Sequence, residues 1–144
     1  MLRALLPGGE FRRVSAERSR RMATVRGKGN RTTEIRARAL LIRAGVRGWC
    51  MHPRDVAGRP DFFFTAERLA IFIDGCFWHG CARCGHVPKT NSRFWGAKIQ
   101  RNRERDRATS RVLRRQGVRV LRVWEHEVGE VAKHVVRLIE SACS

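Results

Sequence analysis

Two short runs, DFFFT from Asp61 to Thr65 and LAIFI from Leu69 to Ile73, are almost entirely apolar. A strand that alternates apolar and polar residues shows one face to water, whereas a run that does not alternate must be covered on both faces. The three residues between them, Ala66-Glu67-Arg68, suit a hairpin turn. The pair therefore predicts the centre of a sheet with further elements packed against it. Helical patterning supplies those elements. Thr32 and Thr33 offer N-cap oxygens, Glu34 suits the positive end of a helix, and Ile35, Ala39, Leu40 and Ile42 give an apolar stripe that Gly45 ends. This predicts a helix from Thr33 to Ala44. Val46 to Arg59, with Gly48, Pro53 and Gly58, reads as turns. A long charged helix is expected from Asn91 or Ser92 to Gln116, stopped by Gly117. Val118 to Trp124 (VRVLRVW) alternates apolar residues with arginine, as a half-exposed strand does, and is expected to extend to His126. The last segment is an amphipathic helix with Val128, Val131, Val135 and Leu138 on one face. The order helix, strand, strand, long helix, strand, helix is that of a mixed α/β domain.

Directly after LAIFI comes DGCFWHGCARCGH, Asp74 to His86, with three of the chain's five cysteines. Cys76, Cys81 and Cys84 are soft ligands of the kind a tetrahedral zinc takes. The fourth ligand is either the nearby His86 or His126, which a strand adjacent to Leu69–Ile73 would deliver beside Cys76. Four protein ligands leave no open position, so such a site is structural. The competing reading, core thiols, fits poorly with the flanking Gly80, Arg83 and Gly85. His79 is a base for water, a zinc ligand or a surface imidazole; if Cys76, Cys81, Cys84 and His126 fill the zinc site, it is free for proton transfer.

Charge sets the partner class. Thirty-one Lys+Arg oppose thirteen Asp+Glu across 144 residues, a net charge of +18. A field of that size recruits polyanions, nucleic acid foremost. Residues 1–30 form a basic arm, and residues 31–144 the domain. No apolar run is long enough to span a bilayer, and Met1 to Leu6 is too short for a signal sequence, so an intracellular, cytoplasmic protein is expected. Against this basic background two carboxylates stand out. Asp61 opens the first strand after GRP, Asp74 closes the second, and antiparallel pairing makes them neighbours at one sheet end. There they either cap turns or hold Mg²⁺, a hard cation that takes oxygen ligands and polarises phosphate.

The stretches SRRM, TTEIRARALL, GRPDF, IDGCFWHGC, VPKTNSRFW, KIQRNRERD and VRVLRVWEHE, in this order from Ser19 to Val128, resemble the very short patch repair DNA mismatch endonucleases. The resemblance implies a restriction-endonuclease-like fold, a structural zinc, and Mg²⁺-dependent nicking of duplex DNA 5′ to the T of a T:G mismatch. Such mismatches arise from deamination of 5-methylcytosine. The implied partners are therefore double-stranded DNA and, functionally, a cytosine-5 methyltransferase system and mismatch repair proteins; a monomer at the bacterial nucleoid is expected. It makes Asp61 the metal-binding catalytic aspartate, the Ile73 carbonyl a second metal contact, and His79 the general base. Asp74 falls near the scissile phosphate, and Glu34 matches the acid of the first helix. Phe77, Trp78 and Trp95 correspond to a wedge beside the mismatch, and Met22 to an insertion from the minor groove. Lys89, Lys98 and Asn102 fall among DNA contacts, and the arginines from Arg101 to Arg111 clamp the backbone. Asp74 is followed by Gly75-Cys76, without the lysine usual in nucleases of this fold. The rival readings are a restriction or defence nuclease with another target and a non-catalytic zinc module that binds DNA.

Overall fold

The computed structural model describes residues 32–85 and 87–142. The basic arm, Met22 and His86 lie outside the described residues. A first helix, α1, covers residues 32–43. Four strands follow in sheet order: β1 (Trp49–Met51), β2 (Phe62–Phe64), β3 (Leu69–Asp74) and β4 (Arg119–Trp124). The β1–β2 and β2–β3 pairs are antiparallel, and β3–β4 is parallel. A parallel neighbour requires a crossover, which the long helix α2 (Ser92–Arg115) provides. A 3₁₀ segment (Glu125–Glu130) and α3 (Val131–Ala142) close the described chain.

The apolar strands are covered on both faces. Phe62, Phe64, Leu69, Ile71 and Val123 pack with Ala37 and Leu41 of α1 and with Val128, Val131 and Val135. On the opposite face Ala70 and Phe72 pack with Leu113 of α2 and with Val118. Truncating a fully buried phenylalanine such as Phe62 in a core of this kind costs about 3–5 kcal/mol.

Four details depart from the sequence reading. The buried side of α1 is Thr33, Ala37 and Leu41, while Ile35 and Ile42 are 59% and 58% exposed. The buried set recurs every four residues and is small, so the helix lies close to the sheet; Thr33 faces inward, its hydroxyl toward Glu125 Oε1 at 3.5 Å, instead of capping. The turn-rich segment contains β1, a strand too short for its pattern to register. β4 ends at Trp124, and His126 sits on the 3₁₀ segment. Asn91 is the N-cap of α2 through a left-handed backbone (φ 58°) and not through its side chain.

Candidate active site and metal cluster

The β2–β3 ladder ends where Pro60, which has no N–H, precedes Asp61. The carboxylate takes over from the ladder: Asp61 Oδ2 accepts from the Ile73 N–H at 2.7 Å. In a strand the N–H and C=O of one residue face the same neighbour, so the Ile73 carbonyl is directed at this edge too. The turn before Asp61 is held tight by Gly58 (φ +76°), where a Cβ would overlap the Thr109 methyl of α2 and lie 3.2 Å from the Phe72 ring.

Two other elements converge on Asp61. His52, just after β1, places Nε2 3.4 Å from Asp61 Oδ1 and 3.2 Å from Glu34 Oε1 of α1. Glu34, His52 and Asp61 form a group whose ligand atoms lie within 4.8 Å of one another. Burial, followed by the hydrogen bond from Asp61 to Glu34, pushes the Asp61 carboxyl up to about 7. Two acids brought together in a partly dry site share a proton unless a cation arrives. Their oxygens suit a hard divalent ion, and the imidazole adds a nitrogen donor.

Asp61 and Ile73 open into a cavity of about 490 Å³ that is also lined by Asp74, His79, Arg105, Asp106 and Arg122. His79 Nδ1 is 2.5 Å from Asp106 Oδ2 and 3.8 Å from Asp74 Oδ1. Burial works against ionisation of Asp106, but the hydrogen bond and charge of His79, with Arg122 and Arg105 nearby, outweigh it and hold the carboxyl below its usual range. Burial instead dominates at Asp74 and raises its carboxyl, although Arg122 NH1 donates to its Oδ1 at 2.9 Å. Arg122 also donates to Ser110 Oγ and to the Asp106 carbonyl, both at 3.2 Å.

A second group lies just past the β3–β4 pair. Asp74 is opposite Trp124 in the parallel register, so Cys76 and His126 leave the sheet side by side. His126 Nδ1 is 3.2 Å from Cys76 Sγ, 3.8 Å from Cys81 Sγ and 3.4 Å from Cys84 Sγ. A tetrahedral zinc with ordinary bond lengths spaces sulfur and nitrogen at about 3.6 Å, so the four donors fit such an ion. The loop closes through Cys76 O accepting from Cys81 N at 2.9 Å and Cys81 O from Gly85 N at 2.9 Å. A Cβ on Gly85 would lie 2.6 Å from Cys81 O and 2.7 Å from Cys76 O, so only glycine fits the loop. Burial pushes the Cys76 thiol up to about 11. At Cys81 burial acts in the same direction but is overcome by the backbone N–H groups of Cys84 and Arg83, which favour a thiolate.

In the chain, two aromatics separate Cys76 from His79, and Trp95 of α2 packs on them. Phe77, Trp78 and Trp95 are each half-buried and stack edge to face, with centroids 4.9 to 5.7 Å apart. Lys98 Nζ sits 5.2 Å over Trp78, Asn102 Nδ2 donates to the Trp78 carbonyl at 2.9 Å, and Lys89 is exposed. Asn102 thus anchors the aromatic loop to α2. Sequence reasoning did not single out His52, Asp106 or Arg122.

A family model described as DNA mismatch endonuclease Vsr matches residues 13–84. Among curated relatives, the type II nicking enzyme V.NaeI of Lentzea aerocolonigenes is 44% identical over 79% of this chain and 70% of its own. The type II nicking enzyme V.XorIIP of Xanthomonas oryzae pv. oryzae is 40% identical, covering 88% of this chain and 93% of its own. The DNA mismatch endonuclease Vsr of Escherichia coli is 38% identical over 76% and 71% respectively.

The chain belongs to the Vsr family. It is therefore a Vsr-family DNA endonuclease, and its mixed sheet flanked by helices is the restriction-endonuclease-like fold of that family. The Vsr match runs through β1 to β3 and the cysteine loop, the elements that carry Asp61, His79 and the three cluster cysteines Cys76, Cys81 and Cys84. Among the described residues no helix is long and apolar enough to cross a membrane.

Proposed function

We propose that the chain nicks duplex DNA on the 5′ side of the T in a T:G mismatch, with Mg²⁺ as catalytic ion and Zn²⁺ as structural ion. The observation that carries the reading is the cavity joining Asp61 to the His79–Asp106 pair, with His79 on a loop whose Trp78, next to it in the chain, packs on Trp95.

Asp61, Glu34 and the Ile73 carbonyl would hold the divalent ion, which would supply Lewis-acid charge at the scissile phosphate. His79 supplies the base. An ionised Asp106 can only accept, so the proton between them resides on His79 Nδ1, leaving Nε2 with a free lone pair. Nε2 takes the proton from the attacking water, and Asp106 stabilises the imidazolium that results. Asp74, tied to Arg122, holds that side of the cleft and does not itself donate to the substrate. Cys76, Cys81, Cys84 and His126 would hold the zinc, which would tie the loop that carries Phe77, Trp78 and His79 to the end of β4.

Selectivity follows from what the aromatics must do. Inserting Phe77, Trp78 and Trp95 between base steps costs a few kcal/mol of stacking, and a mispaired step has less stacking to lose. Met22 completes the wedge from the other groove. The net charge of +18 supplies affinity without sequence preference. Because T:G pairs form when 5-methylcytosine deaminates, the chain works downstream of a cytosine-5 methyltransferase and beside mismatch repair, as a cytoplasmic monomer on the nucleoid.

The names of the relatives favour a second reading, a nicking enzyme tied to a type II restriction system. End-labelled duplexes carrying T:G, T:A, C:G or another mispair in several flanking sequences separate the two. The proposal predicts a nick confined to T:G, 5′ to the T. Nicking of fully matched duplex at a fixed sequence supports the second reading instead.

A further inference from the structure

α2 carries Trp95 of the aromatic cluster near one end and Asp106 of the cleft near its middle; its far end borders a second cavity. Arg107, Arg111 and Arg114, all exposed, line that open cavity of about 410 Å³ together with Ser110, Asp106 and Arg122. Asp106 and Arg122 also belong to the cleft, so the two spaces share a wall. At 3.6 residues per turn the three helix arginines project within about 60° of one another along about 10 Å of axis.

The charge in this cavity is unbalanced. Four guanidinium groups surround one carboxylate, and that carboxylate is engaged by His79. Arg107, Arg111 and Arg114 make no ion pair among the described residues. Arg114 in the last turn also complements the negative end of the helix, but that accounts for neither Arg107 nor Arg111. Like charges gathered in a concave site focus a positive potential and repel one another until an anion enters. Arg122 is held in place by Asp74 and Ser110, with its guanidinium 4.3 Å from the centre of the Phe72 ring. The occupant must be acceptor-only, anionic and extended along the helix. Arginine forks pair with phosphate oxygens in a bidentate manner.

We propose that this cavity is a phosphate subsite for the DNA backbone on the side of the cut away from the mispair. The inference rests on the reading that the neighbouring cleft cuts DNA, since the shared wall makes the ligand part of the same duplex. It gives the duplex a direction: wedge, scissile phosphate and arginine subsite follow one another along α2. One or two phosphates beyond the cut are held by Arg111 and Arg114, and the enzyme needs intact duplex on that flank.

The test uses the full chain with Arg111→Gln/Arg114→Gln and, separately, Arg111→Lys/Arg114→Lys. Both positions are exposed on a helix, and circular dichroism checks folding. Fluorescence anisotropy measures duplex affinity between about 50 and about 200 mM salt. Each phosphate contact contributes about 0.9 to the salt slope, so losing two reduces it by about 1.8, and wild type loses about tenfold more affinity over that range than the Gln variant. The Lys variant keeps the wild-type slope. Removing the duplex flank beyond the cut makes wild type and the Gln variant equal, whereas removing the flank on the mispair side leaves their difference intact. A Gln variant with wild-type slope and affinity overturns the subsite while wild-type nicking still stands. Wild type that binds duplex without nicking it overturns the catalytic reading and leaves the slopes to decide the subsite as a DNA-binding feature. Absence of salt-dependent duplex binding by wild type overturns both.

Discussion

Replacing Asp61 by Asn should remove activity and, in metal-free protein at alkaline pH, raise stability. Asp61 has an ordinary carboxyl value of 3.8 that burial and Glu34 lift to about 7 in the fold. Between these values the folded chain keeps a proton that the unfolded chain has released. Stability therefore falls as pH rises through the window, and the deficit is complete above about pH 7. At about 1.4 kcal/mol per tenfold, the full deficit is about 4 kcal/mol. Asn imitates the protonated acid: its oxygen still accepts from the Ile73 N–H, and its amide can donate toward Glu34. In a chain of this length the gain is about 10 °C in Tm. Thermal melts in chelator, every half unit from about pH 4 to about pH 8.5, give the comparison. The expected curves coincide near pH 4 and separate progressively, with Asp61→Asn the more stable. Mg²⁺ narrows the gap by stabilising only wild type. A variant less stable than wild type at pH 8, or a gap independent of pH, refutes the view of Asp61 as an acid held near Glu34 for a cation.

Three further outcomes follow from the same geometry. Asp106→Asn leaves His79 without the partner that fixes its proton, so kcat for nicking falls by about 10²–10⁴ with KM little changed, as single-turnover and steady-state kinetics will show. Purified wild type carries one zinc per chain by elemental analysis; Cys81→Ser loses it and, because structural zinc contributes about 10–16 kcal/mol to small sites, becomes protease-sensitive in the loop between β3 and α2, whereas unchanged zinc content removes Cys81 from the ligand set. Trp78→Ala slows nicking of T:G by about 10–100-fold while leaving affinity for matched duplex unchanged, so a parallel loss on both substrates speaks against a wedge.

The parts of the fold that sequence made legible are those where one local pattern had one cause. The non-alternating DFFFT and LAIFI runs had to be interior strands, and Cys76, Cys81 and Cys84 crowd a segment too rich in glycine and arginine to be core. The offset of His126 past Trp124 equals that of Cys76 past Asp74, so one parallel register brings them together. The remainder needed tertiary contacts. His52 was hidden because β1 is three residues between Gly48 and Pro53, too short for a period to emerge. Asp106 was lost in a run of charge, although it lies two turns after Ile99 and two turns before Leu113, both buried, and so shares the inward face of α2. Arg122 belongs to a strand whose arginines suggested solvent, yet α2 covers the face that carries Arg122, turning the arginine into a tie between Asp74 and Ser110. On α1 the larger residues, Ile35 and Ile42, drew the stripe to the wrong side; the close packing of helix on sheet selected Ala37 and Leu41.

The cleft that holds Asp61 and His79 is proposed to cut DNA at a mispair. Single-turnover nicking of an end-labelled T:G duplex by wild type and by Asp61→Asn, each with Mg²⁺ and with chelator, tests it most directly. One product, cut 5′ to the mispaired T, is expected from wild type with Mg²⁺ alone. Equal nicking by Asp61→Asn, or by wild type in chelator, would contradict it.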